Sequence, residues 1–389
     1  MNINKLTVSL LLIFCIISNV KSQDLHEIPE DSSLVFYIGE QVINAEDENE
    51  KQIIQLWKDY LLNGKYGDTA SVFWSFEDSN APDEYLWAIG IESLRSRDYP
   101  VQCKIIGVYP VENEYYCLKS AFTHIDDNRE IHLDVIPTVY AKKFNGKFLL
   151  VNSATYHKET LEHHKIGNIK YYVHPSHKFD IEKAKQMSDF SNQMAIKFSS
   201  EPIECTYFVA NSTREIVEIW GYEYMDRMYR PEQTGGVAFP SDNVIFCGNN
   251  SEYYPHELIH LYAYNVSDNI PHFWLNEGIA TYFGGSTEKS FEWHLNELKE
   301  FHKKNPSFDY ADVEGIGDTY IPNGKHLTEF RYIIGAIIIR EVYENEGMDG
   351  IKDALNQGNT NEDLFSFTQN KLGITEVTFN EFIRKQLKN

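Results

Sequence analysis

Two histidines four residues apart with a glutamate beside the first, His256, Glu257 and His260 in "HELIH", form a pattern able to hold a metal ion. On a helix, positions i and i+4 share a face, so both imidazoles can turn toward one cation while Glu257 projects beside it. Zinc suits such donors, because a catalytic zinc takes three protein ligands and keeps one position for water. The third ligand must then arrive from another element. Glu277 meets that need: it lies 17 positions after His260, past the breaker-rich "NVSDNIP" and inside "FWLNEGIATYF", which reads as the start of a second helix. Two antiparallel helices joined by that loop bring Glu277 back to the histidines. The expected cofactor is one Zn2+ per chain, held by His256, His260 and Glu277, with Glu257 beside it. A single H-E-x-x-H is moderate evidence alone; joined to this glutamate within "WLNEG" and to a preceding strand it outweighs chance composition.

On these residues the chain resembles the gluzincin metallopeptidases, nearest the aminopeptidase branch, whose signature is H-E-x-x-H followed by a glutamate in W-L-N-E-G-F-A. This sequence reads "HELIH" and then "WLNEGIA". The resemblance implies a zinc-activated water, the three ligands above, and Glu257 as the base. It also implies a phenol that stabilises the oxyanion, since family members carry a helix reading roughly Y-x-K-G-A. Tyr332 holds that position in "FRYIIGAIIIRE", three residues before Gly335 and Ala336, with Ile334 where lysine is typical. Tyr320 and His326 are substitutes from the same region. The gap from the histidine helix to the glutamate is two residues shorter than is usual in aminopeptidases. Upstream, aminopeptidases carry G-A-M-E-N on a substrate-binding edge strand, its glutamate holding the free α-amine. Here the matching stretch is "TGGVAFP", which makes Gly235, Gly236, Val237 and Ala238 candidate substrate contacts and provides no acidic anchor in register. The resemblance therefore implies peptide-bond hydrolysis rather than aminopeptidase specificity. By element order it covers about Ile169 to the C-terminus, and its specific residues are confined to Gly235–Phe239, His256–Gly285 and Tyr332–Ala336.

The elements that would position these residues are legible as patterns. From residue 169, "IKYYVHP", "DIEKAKQMSDFSNQMAIKFSS", "ECTYFVA", "TREIVEIWGYEY" and "NVIFCG" alternate strand and helix, and everything beyond Ser286 reads helical. The expected fold class is α+β, with a thermolysin/aminopeptidase-like catalytic domain at 169–389: a mixed sheet and active-site helices at 169–285, a helical lobe at 286–389. Before it, "EDENEKQIIQLWKDYLLNGKY" has helical spacing, and "VQCKIIGVYP", "EYYCLKSAFTHI", "IHLDVIPTVYAKKF" and "GKFLLVNSAT" read as strands. A helix followed by antiparallel strands makes 23–160 a small α+β accessory domain, similar in element order to cystatin-like or NTF2-like cones. The polar "YHKETLEHHKIGN" reads as a solvated linker, its His157, His163 and His164 lacking a carboxylate partner at helical spacing.

Composition bounds the function. The first residues show the pattern of a secretory signal, with an apolar run from Leu6 to Val20 and small or short residues at Val20 and Ser22, so 1–22 is read as a cleaved signal peptide. The run is shorter than the roughly 20 residues of a spanning helix, and no stable membrane insertion is expected. Cleavage removes Lys5 and Lys21 and no acid, taking the formal charge from −23 to −25. Such acidity repels phosphate backbones, so nucleic acid is not an expected partner; a peptide or protein substrate is. Four cysteines remain, Cys103, Cys117, Cys205 and Cys247. An oxidising compartment permits two disulfides, a Cys103–Cys117 cross-strand bridge among them, while four buried thiols are the alternative. The leading reading is an exported zinc metallopeptidase, secreted or periplasmic. A zinc-binding pseudoenzyme with an occluded cleft and a non-peptide hydrolase are the competing readings, and an intact Glu257 argues against the first.

Overall fold

In a computed structural model of the chain, the described residues are 35–38, 47–63, 70–76, 101–225, 235–317, 319–324 and 326–388. The expected signal segment 1–22, with Cys15, lies outside them. The chain is mixed α+β and divides into two compact units, one of residues 22–162 with 213–231, the other of 163–212 with 232–389.

In the first unit β1 (Val35–Ile38) runs parallel to β2 (Val101–Pro110), which continues antiparallel through β3 (Tyr116–Ile125), β4 (Ile131–Phe144) and β5 (Lys147–Val151). Side chains alternate across each strand, and α1 (Glu48–Asn63) buries Ile53, Trp57 and Tyr60 completely. Trp57 Nε1 donates to Ser120 Oγ on β3 at 3.2 Å, so the indole spends its polar atom inside the core. A short turn of helix, α2 (Ala70–Phe73), follows α1. The register pairs Cys103 with Phe122 and Cys117 with Tyr109, which keeps the two cysteines apart along the ladder. All four cysteines among the described residues are free and buried, and burial pushes the thiols of Cys103, Cys205 and Cys247 up to about 12. The buried-thiol alternative is the one observed.

Two strand and linker expectations give way here. "GKFLLVNSAT" is not one strand, because the Asn152 side chain accepts from Thr155 N at 2.7 Å and caps a helix, α3 (Ser153–Thr160). The expected linker is instead the end of α3 followed by β6 (Glu162–Ile166), which joins a second sheet.

That sheet has the order β10-β11-β8-β7-β6. From β7 (Ile169–Val173) the chain passes through α4 (Ile181–Phe198) to β8 (Cys205–Val209), parallel to β7. It next forms α5 (Thr213–Trp220) and β9 (Tyr222–Met225), which belong to the first unit because β9 pairs antiparallel with β4. The sequence pattern places 213–225 in the second domain; a strand pairing that no local periodicity encodes moves it. The sheet is completed by β10 (Gly236–Phe239), the antiparallel edge strand, and β11 (Val244–Cys247), parallel to β8. Both β10 and β11 are buried at every position.

The helices follow: α6 (Pro255–Asn265), α7 (Phe273–Gly284), α8 (Phe291–Lys304), the short α9 (Val313–Ile316), α10 (Phe330–Leu355, kinked at Gly347), α11 (Asn361–Leu372) and α12 (Glu376–Gln386). The expectation that everything beyond Ser286 is helical fails at one place, where β12 (Tyr320–Asn323) and β13 (His326–Glu329) pair antiparallel before α10. One continuous apolar core runs from the β7–β8 sheet through α6, α7 and α10 to α12. Among the described residues, no helix is long and apolar enough to cross a membrane.

Candidate metal centre

Helix α6 begins on Pro255, whose missing N–H costs nothing at a first helical position, and carries HELIH in its first two turns. Helix α7 begins after His272, whose Nδ1 accepts from Trp274 N at 3.2 Å. The other ring nitrogen, Nε2, lies 3.2 Å from Asn361 Oδ1, and burial lowers the pKa of this histidine, which suits a neutral capping imidazole.

What brings Glu277 to the histidines is contact between backbones. Gly278 packs against Gly335 so closely that a Cβ on it would lie 2.7 Å from the Gly335 carbonyl oxygen. A Cβ on Gly284 would lie 2.7 Å from the His256 backbone nitrogen. Both glycines are thus explained by helix proximity: α7 lies against α10 at one level and against the start of α6 at another.

His256, His260 and Glu277 converge with ligand atoms within 4.8 Å of one another, and all three side chains are buried. His256 Nε2 lies 3.1 Å from Glu277 Oε2 and 3.3 Å from His260 Nε2, and the third edge, His260 Nε2 to Glu277 Oε2, is 3.6 Å. Donors around a tetrahedral zinc, at about 2.0–2.1 Å from the ion, stand roughly 3.3 Å apart, so the triangle has the size for such an ion. His256 Nδ1 lies 2.7 Å from the Gly285 carbonyl, which only accepts, so Nδ1 carries a proton and donates to it while Nε2 faces the Glu277 carboxylate.

Glu277 is held ionised. Burial alone would raise its pKa, but His260 and His256 outweigh burial and keep it well below the usual carboxylate range. Glu257 goes the other way. Burial pushes it up and the Glu277 charge adds to this, while His256 and the Ala238 backbone pull it down, leaving it at about 7. Two buried glutamates in one site therefore differ in protonation behaviour because only one faces the imidazole nitrogens.

Tyr332, on the first turn of α10, stacks its ring on His256 with centroids 5.7 Å apart and planes 8° from parallel, and Phe273 lies against it at 6.0 Å. The structure therefore groups Tyr332 with HELIH, whereas the substitutes serve elsewhere: Tyr320 opens β12, and His326 Nδ1 lies 2.8 Å from the Thr287 carbonyl. Gly236, Val237 and Ala238 lie on edge strand β10 and Gly235 just before it, and the Ala238 backbone hydrogen-bonds Glu257. Thr234, at the head of "TGGVAFP", lies outside the described residues. A pocket beside His260 is lined by Pro240, Ala263, Ile270, Pro271 and Asn276, with no Asp, Glu, Lys or Arg in its wall among the described residues.

Thr281, one turn past Glu277, is a natural candidate to support a ligand histidine, yet its hydroxyl is buried and makes no hydrogen bond. Gly285 does that work for His256 through its carbonyl, in a conformation (φ 75°) that suits glycine, and a Cβ there would strike the Lys289 carbonyl oxygen. The "GG" ending α7 was the sequence signal for it, as a helix C-terminal glycine pair marks a close turn.

No protein-family model matches the chain, and no curated protein matches it.

Proposed function

We propose that the protein is a zinc-dependent metallopeptidase of gluzincin type, exported by its 1–22 signal, with a thermolysin/aminopeptidase-like catalytic region and a cystatin-like or NTF2-like accessory domain. The observation that carries this reading is the buried triangle of His256, His260 and Glu277 with Glu257 beside it and outside the ligand set. Zinc, when bound there, supplies Lewis acidity and makes water acidic enough to ionise near neutral pH.

The chain's own residues supply the rest. Glu257, with a pKa near neutrality, takes the proton of the attacking water and returns it to the leaving amine. Its hydrogen bond from β10 ties the base to the strand on which an extended substrate backbone would lie. Tyr332 offers a phenol donor to the oxyanion as charge develops. The uncharged pocket beside His260 receives an uncharged side chain more readily than a charged one, since an unpaired charge is costly to desolvate.

The test is mass-spectrometric profiling of a diverse peptide mixture with zinc-loaded protein, using Glu257→Gln as the blank. The expected result is cleavage by the wild type and a fall of about 10²–10⁴-fold in the variant with one zinc retained. Zinc binding without wild-type cleavage would overturn the peptidase reading and favour a structural metal site.

A further inference from the structure

The carbonyl that orients His256 belongs to a tight loop, 284–290, between α7 and α8. Ser286 and Lys289 exchange backbone hydrogen bonds at 2.9 and 2.8 Å across Thr287 and Glu288, both at positive φ. Such a turn of non-glycine residues is strained and must be held from outside.

The buried imidazole of His294 is the most central of the groups that hold it. From the first turn of α8, its Nε2 lies 2.8 Å from the Ser286 carbonyl and its Nδ1 lies 2.8 Å from Thr328 Oγ1 on β13. Burial drives this histidine down to about 4, so the ring is neutral. A carbonyl only accepts, so Nε2 carries the proton and donates to Ser286, and Nδ1 accepts from the Thr328 hydroxyl. Two further bonds pin the same turn to β13: His326 Nδ1 with the Thr287 carbonyl at 2.8 Å, and Thr287 Oγ1 donating to Leu327 O at 3.2 Å. Ser286 follows Gly285 directly, and β13 runs straight into α10, which carries Tyr332.

We infer that His294 is a positioning residue of the metal centre: through Ser286 it fixes the Gly285 carbonyl that orients His256, and through Thr328 it ties that loop to the strand leading into the Tyr332 helix. It touches neither metal nor substrate. Removing it leaves His256 in place but frees its ring to turn, so zinc affinity falls before the fold does. The inference rests on the metal centre proposed above and is independent of which bond the protein cleaves.

The experiment is titration of full-length apo-protein with zinc in competition with a chelating indicator, for wild type, His294→Phe and His294→Gln, alongside thermal unfolding of each apo-protein. Phenylalanine keeps the ring and loses both hydrogen bonds, and its zinc affinity is expected to drop about 10–100-fold, the usual cost of losing an outer support of a ligand. Glutamine can donate to Ser286 and accept from Thr328 at once, and is expected to recover to within about threefold of wild type. A His294→Phe protein that unfolds earlier but binds zinc as tightly as wild type would overturn the inference. Should His294→Phe fail to fold, Thr328→Val removes only the hydroxyl donor, and unchanged zinc affinity there would overturn it equally. Wild-type protein that binds no zinc would overturn the metal centre itself, whereas zinc binding without peptidase activity leaves the His294 result readable.

Discussion

Two clusters of histidine and carboxylate in this chain have nearly the same composition and opposite settings. His256, His260 and Glu277 meet inside the second unit, and Asp126, Glu130 and His132 meet at the β3–β4 turn of the first, each set with ligand atoms within 4.8 Å. In the turn the groups already have other work. Asp126 Oδ1 accepts from Glu130 N at 2.8 Å and Asn128 N at 3.0 Å, which builds the turn and holds the carboxyl below its usual range. His132 is 43% exposed along its side chain, and its Nε2 lies 3.3 Å from Asp126 Oδ2, an exposed pair that contributes little. In the buried cluster the side chains are 2–7% exposed and their donor atoms point at one another. Proximity of ligand atoms is common to both; burial belongs to one.

The same contrast extends to a pair outside either cluster. His177 Nε2 lies 2.7 Å from Glu252 Oε1, with side chains 3% and 0% exposed, and joins the segment after β7 to the one before α6. Replacing His177 by Ala strips the buried Glu252 carboxylate of its imidazole partner, leaving it the Asp180 N–H at 2.8 Å, and is expected to cost about 3–5 kcal/mol, the largest effect of the series, read by denaturant unfolding. A loss below about 1 kcal/mol would show that burial does not amplify such pairs here. Burial alone would lower the pKa of His177, but Glu252, Asn250 and Asn211 outweigh it and hold it above the ordinary value. A raised folded pKa means that the protonated form carries the stabilisation. The pair's contribution is therefore full below the unfolded value of about 6.5 and fades as pH rises through the higher folded one. The wild-type minus His177→Ala stability difference should shrink along that course.

Next in size is Gly278→Ala, which drives a methyl into the α10 backbone and is expected to cost about 1–3 kcal/mol by overpacking. Because Gly278 adjoins Glu277, zinc affinity should fall with it; stability loss with unchanged affinity would show that the close helix contact does not set the triangle. Smallest is His132→Ala, expected to change stability by no more than about 0.5 kcal/mol and to leave zinc stoichiometry at one. A fall in stoichiometry would make the exposed cluster a site and dissolve the contrast.

Much of the site was legible because its signals are local. The i, i+4 spacing of His256 and His260, the breakers after α6 and the restart at Phe273 are read within single turns or loops, and α1, α4, β2, β3 and β11 form where periodicity put them. Misreadings fell where a long-range partner overrode local pattern: the Asn152 cap that made α3, the β9 pairing with β4, and the β12–β13 hairpin inside an otherwise helical region. The disulfide alternative failed for a similar reason, since register and not spacing decides which cysteines oppose one another.

By itself the sequence determined two histidines on one helix face, a glutamate beside them and a second glutamate arriving from a separate helix, because these follow from residue spacing and helix geometry. Only the tertiary structure decided that a glycine carbonyl meets His256, that the Thr281 hydroxyl makes no hydrogen bond, that Tyr332 stacks on His256, and that the pKa values of Glu257 and Glu277 shift in opposite directions. The reason is physical. Backbone carbonyls carry no residue identity, and the desolvation and charge contacts that set a pKa depend on distances between elements far apart in the chain.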